Sequence, residues 1–284
     1  MKKTLFPVLL VLVGLGCTTH SPNSISFSIR FTKELSDLAQ DGRLLVMLAN
    51  NDKSEPRFQI SDGLNTQLIF GIDVEGMQPG QELIIDDNDN AFGFPIRYLK
   101  DVPKGDYFVQ ALINRYETFN LKTGQTVKLP PDQGEGQQWN RKPGNFYSKP
   151  VKVSIDPSSA NTIKISMNQK VEPVKEPENT KYIKHIKIQS KLLTEFWGKP
   201  MFLGAHVLVP EGFDEHPESR YPVMVYHGHF PSDFGGFNTE PPPADMDTTD
   251  FIPRFGIYGY NKLQKQEAYN FINSGLVKIF HDFL

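Results

Sequence analysis

Residues 227–230, His-Gly-His-Phe, follow an unbroken apolar run, Val223-Met224-Val225-Tyr226, within the stretch YPVMVYHGHF. A run of this kind reads as a strand covered on both faces in a mainly parallel sheet, and its abrupt end delivers a polar, glycine-containing loop to one end of that sheet. His227 and His229 are alternate residues, so a strand end would aim both imidazoles from one face toward a metal ion, with Asp233 close behind. A hydrolytic metal centre needs further ligands at tighter acidic spacing, and the sequence offers none, so no metal and no other cofactor is expected. The loop can still act through its backbone, which raises the question of where the other half of such a site would lie.

Three other stretches carry candidate chemistry. DDNDN, residues 86–90, has the composition of a calcium loop, but Ala91 stands where that loop needs Gly and Arg97 where it needs a bidentate Glu, so a solvated turn is expected. Residues 129–150, LPPDQGEGQQWNRKPGNFYSKP, form a long segment without periodicity. Trp139, Asn140 and Arg141, with Asn145, could present a sugar-binding or partner-binding surface; a loop folded over the sandwich that buries Trp139 is the favoured reading. His206, in the middle of a strand pattern, is expected to be packed or hydrogen-bonded rather than catalytic.

The elements that must position these groups follow from composition. The chain has 284 residues, enough for two domains, and its net charge of -3 from 33 acidic and 30 basic residues gives no excess for binding a nucleic-acid backbone. Residues 1–17, MKKTLFPVLLVLVGLGC, combine a basic start at Lys2 and Lys3, an apolar core over 5–13 and the chain's one cysteine. The segment resembles a bacterial lipoprotein signal peptide with Cys17 as the lipidated residue, although Gly14 stands where a Leu is commonest. That resemblance implies export and a membrane anchor in the bacterial cell envelope, periplasmic or surface-exposed. With no cysteine left to pair, the exported part has no disulfide framework.

From residue 24 the pattern is short strands. SISFSIRF places Ile25, Phe27, Ile29 and Phe31 on one face, and RLLVMLAN, TQLIFGIDV, GDYFVQALINRY, KPVKVSI and NTIKISM follow, separated by turn signals such as Asp62-Gly63 and Lys104-Gly105. This spacing predicts an antiparallel β-sandwich over 24–171. KVEPVKEPENTKYIK then shifts to Pro, Glu and Lys, which predicts an extended linker over 172–184. A second domain is expected over 185–284, opening with KHIKIQSKLL as one alternating strand and FLGAHVLVPEGF as the next.

Residues 196–230, FWGKPMFLGAHVLVPEGFDEHPESRYPVMVYHGHF, resemble the esterase branch of the α/β-hydrolase superfamily that includes enterochelin-esterase-like and esterase-D-like proteins. The resemblance rests on the corner at 207–213, VLVPEGF, and on the strand that ends in His227-Gly228. KGDYFVQALINRYETF and DQGEGQQWNRKPGNFYS likewise resemble the accessory domain of larger members. It implies that the backbone at Gly228, His229 and Phe230 supplies one arm of an oxyanion hole. Such N–H groups reach the tetrahedral intermediate of an ester only where no side chain blocks the approach, and Gly228 leaves that approach open. The other arm would come from the residue after a serine nucleophile.

That nucleophile is not found, because no Ser has Gly at both -2 and +2, and the acid and His of a triad are missing as well. The residues after 230 read as a proline-rich loop, an amphipathic crossover helix over 261–273 and the beginning of a next strand, LVKIFHDFL, whose His281 takes no triad role. The fold class expected is therefore an N-terminal sandwich followed by an incomplete α/β-hydrolase domain. On this reading the chain is the N-terminal portion of a longer esterase-like lipoprotein, inactive without its missing C-terminal half. Loss of a serine nucleophile removes about 10⁶ in turnover. The competing class is a non-enzymatic surface lipoprotein that binds a glycan or a protein partner through its sandwich.

Overall fold

The computed structural model describes residues 25–87, 91–226, 251–252, 257–258 and 277–282. Twelve strands make up the first unit: β1 (Ser26–Phe31), β2 (Gln40–Ala49), β3 (Leu68–Met77), β4 (Leu83–Ile85), β5 (Phe92–Phe94), β6 (Gly105–Arg115), β7 (Glu117–Asn120), β8 (Thr126–Leu129), β9 (Phe146–Tyr147), β10 (Val151–Ile155), β11 (Thr162–Met167) and β12 (Gln169–Lys170). A small sheet, in the order β11-β1-β4, faces a larger one, β12-β9-β6-β2-β3-β5, in which β10 also pairs with β6. The two layers form a sandwich because alternate residues of β1 are apolar: Phe27, Ile29 and Phe31 are buried against Leu44, Val46 and Leu48 of β2, Phe70 of β3 and Val109, Ala111 and Ile113 of β6.

The expectation of a wholly antiparallel sandwich needs one correction, since β1 and β11 pair in parallel, Phe27 opposite Ile163 and Ile29 opposite Ile165. Parallel neighbours need a long crossover, and here the strands of the larger sheet lie between them in sequence. The chain changes sheets at the turn after β10, where the Asp156 carboxylate accepts hydrogen bonds from the Ser158 backbone N–H at 3.1 Å and hydroxyl at 2.6 Å.

Strands β2 and β6 lie centrally in the larger sheet and are covered on both faces. Leu45, Met47, Ile69 and Leu112 point away from the sandwich interior and build a second apolar cluster, covered by Ile60, Phe92, Trp139 and Tyr147. The 129–150 loop thus closes the outer face of the larger sheet.

The second unit opens with β13 (Ile183–Gln189), α1 (Lys191–Trp197), β14 (Phe202–Leu208) and β15 (Val223–Tyr226). The short pair β16 (Phe251–Ile252) and β17 (Ile257–Tyr258) and the strand β18 (Val277–Asp282) follow. The pattern KHIKIQSKLL does not run on as one strand, because Ser190 interrupts it. The Ser190 hydroxyl accepts the Leu193 N–H and starts α1, and Gly198 ends the helix in the left-handed conformation at φ 68°. β13 also begins one residue before that pattern, at Ile183.

The units touch through α1 and the β7–β8 hairpin. The Lys122 N–H donates to the Phe196 carbonyl at 2.8 Å, Lys199 pairs with Glu117 at 2.7 Å, and the rings of Phe119 and Trp197 meet edge to face at 5.5 Å.

Candidate functional site

In the second unit the sheet order is β13-β14-β18-β15. β14 runs antiparallel to β13 and to β18, whereas β18 and β15 are parallel, with Val223 opposite Val277 and Tyr226 opposite Phe280. The corner that carries the family resemblance is a tight turn: the Phe213 N–H donates to the Pro210 carbonyl, and Gly212 holds φ 77°. The corner is tied back to β13, since Val209 N–H donates to the Tyr182 carbonyl at 2.8 Å, Lys181 pairs with Glu211 at 2.6 Å and Lys184 with Asp214 at 2.7 Å. Gly228, His229 and Phe230 follow the carboxyl end of β15 and lie outside the described residues, as do Cys17 and the helical pattern over 261–273. The expectation that β15 is covered on both faces is not met. Val223, Met224 and Val225 keep 58%, 41% and 66% of their surface exposed, and among the described residues β15 is an edge strand paired only with β18.

His206 is half-buried and hydrogen-bonded. Its register partner across the hairpin is His185, and the two Nδ1 atoms lie 2.7 Å apart with the rings edge to face.

Trp139, Asn140 and Arg141 occupy one end of the covering loop. Trp139 packs on the outer apolar cluster, and its carbonyl accepts from the Asn145 side chain at 2.8 Å. Asn140 exchanges hydrogen bonds with Arg57, its side chain donating to the Arg57 carbonyl and its own carbonyl accepting from the guanidinium. That guanidinium is buried, pairs with Glu55 at 2.8 Å and lies over the rings of Tyr147 and Phe58. Arg141 is exposed and also lies over the Phe58 ring. These contacts tie Trp139 and Asn140 to the sandwich and leave Arg141 at the surface. The Asp87 carboxylate likewise accepts the N–H groups of Leu99 and Lys100 and caps a turn.

A cleft that the sequence did not signal lies at the end of the sandwich, beside the connection to the second unit. About 480 Å³ in volume, it is lined by Arg115, Tyr116 and Glu117, by Gln133 and residues 142–144 of the covering loop, and by residues 170–173. Lys142 is only 4% exposed, and among the described residues its ammonium has no hydrogen-bond partner and no carboxylate within 4.0 Å. Burial pushes its pKa below the usual lysine value, with the charges of Glu135, Glu117 and Asp132 acting in the opposite direction. Glu135, also buried, is pushed up by desolvation against the hydrogen bond from the Gln133 N–H. Nearby, Asp132 Oδ2 is enclosed without a hydrogen-bond partner among the described residues. Sequence reasoning missed the cleft because its cations, Arg115, Lys142 and Lys170, are separated by dozens of residues and carry no motif. The one local hint was a lysine inside a segment already expected to pack.

No protein-family model matches the chain, and no curated protein matches its sequence.

Proposed function

We propose that residues 185–284 are the N-terminal part of an esterase-type α/β-hydrolase domain acting on carboxylic esters, carried with a β-sandwich accessory domain on an exported, lipid-anchored protein. The observation that carries this reading is the polarity of the second sheet: an antiparallel hairpin, β13 and β14, leads to a parallel pair, β15 and β18. Parallel neighbours require a crossover, and in sequence residues 227–230 follow directly on the carboxyl end of β15. In open sheets with parallel strands, ligands bind outside those carboxyl ends. Backbone N–H groups beside Gly228 are suited there to an oxyanion, the charge that develops when an ester carbonyl is attacked. The serine, the acid and the histidine would come from sequence beyond residue 284.

The test begins with the DNA beyond codon 284, translated in all three frames. The expected product adds a Gly-x-Ser-x-Gly elbow followed by an acid and a histidine. The protein made from that longer frame should hydrolyse p-nitrophenyl butyrate and take a fluorophosphonate label on serine, and Gly228→Val should lower kcat by about 10² to 10³. Unrelated downstream sequence, or a longer protein that takes no label, would refute the proposal.

A further inference from the structure

The cleft at the sandwich end has the makings of a binding site in its own right, independent of the ester-hydrolysis reading. Its walls are fixed by backbone hydrogen bonds between segments distant in sequence: Gly144 N–H to the Val171 carbonyl and Val171 N–H to the Asn145 carbonyl, both at 2.9 Å. Arg115 ties the floor together, donating through Nη1 to the Gly144 carbonyl at 2.9 Å and through Nε to Gln40 at 2.5 Å. A pocket held this way needs little ordering when a ligand enters. Its volume falls in the range of small-molecule sites.

The charges on the lining are unequal. On the lining itself three cations, Arg115, Lys142 and Lys170, face two carboxylates, Glu117 and Glu172, while Glu135 and Asp132 act on Lys142 from outside the lining. Glu117 is already paired with Lys199 at 2.7 Å, whereas among the described residues none of the three cations has a carboxylate within 4.0 Å. Lys142 is the most deeply buried of these residues, yet its ammonium is not among the enclosed atoms and opens on the cleft, where an anion can serve as its partner. Glu172 on the same lining disfavours a dianion such as phosphate, while Glu172, Gln133 and Tyr116 offer acceptors and donors suited to hydroxyl groups.

We propose that this cleft binds a small monocarboxylate carried on a hydroxylated skeleton, a sugar acid or a hydroxy acid, with Lys142 as the partner of the carboxylate. The full 284-residue chain, purified in detergent, would be titrated calorimetrically with glucuronate, glucose and inorganic phosphate. Glucuronate is expected to bind, with glucose and phosphate at least about tenfold weaker, as the loss of one charged hydrogen bond implies. Lys142→Met should weaken glucuronate binding by about tenfold to a hundredfold. If Lys142→Met does not fold, Lys170→Met decides, because residue 170 is exposed and its charge contributes to the same cleft. Absence of glucuronate binding, equal binding of glucose, preference for phosphate, or unchanged affinity in the variant that folds would each overturn the proposal.

Discussion

Replacing Trp139 with alanine separates a packing role for the covering loop from a recognition role. The indole lies on Leu45, Met47, Ile69 and Leu112, the outward-facing apolar cluster of the larger sheet, and is itself half-buried. Truncating a fully buried aromatic to alanine costs about 3 to 5 kcal/mol, so a half-buried one should cost about 2 to 3 kcal/mol. In a unit of this size that corresponds to a fall in thermal midpoint of about 5 to 10 °C. Trp139→Phe keeps most of the apolar cover and should lose less than half as much. Urea denaturation of the full chain followed by far-ultraviolet circular dichroism gives the free-energy difference, and an unchanged slope shows that both variants unfold from the same folded state. A Trp139→Ala protein within about 0.5 kcal/mol of the parent would refute the packing argument. If that variant also lost binding to a glycan, the loop would become the place of recognition.

Gly198→Ala should destabilise the contact between the units: a left-handed φ costs an L-residue about 1 to 2 kcal/mol, and the added Cβ would lie 2.5 Å from the Asn120 carbonyl oxygen. Limited proteolysis should then cut within 190–200 at lower protease concentrations than in the parent, and unchanged cleavage would show that the hairpin does not hold α1. Asp156 is pulled down to about 2, first by Lys104 at 2.7 Å and then by Ser158. Its folded value lies below its usual 3.8, so its contribution is present above 3.8 and is lost as pH falls toward 2; Asp156→Asn should flatten that acid limb. Lys142 has the opposite consequence at the basic end: its folded pKa is depressed, the unfolded chain binds more protons between that value and 10.5, and stability rises with pH across the window. Lys142→Met should abolish that rise in a denaturation series, and an identical slope in parent and variant would show that the lysine is not desolvated.

The alternation of Ile25, Phe27, Ile29 and Phe31, the longer apolar runs of β2 and β6 and the turns between them determined that the first unit is a two-layer β structure. A period of two assigns every side chain to the core or to solvent before any pairing is known. Ser190 and Gly198 also carried the limits of α1, although a strand pattern running through Ser190 concealed them. Pairing was decided only in three dimensions. Periodicity is the same for parallel and antiparallel neighbours, so the parallel match of β1 with β11, and the insertion of β18 between β14 and β15, follow from which edges the chain brings together. The same holds for function. His227-Gly228-His229-Phe230 was legible because its chemistry is contiguous in sequence. The cleft was not, because Lys142 becomes a buried residue lining a pocket only when residues 115–117, the covering loop and residues 170–173 close around it. Burial and distance to a countercharge are properties of the assembled walls, and no residue type or spacing along the chain encodes them.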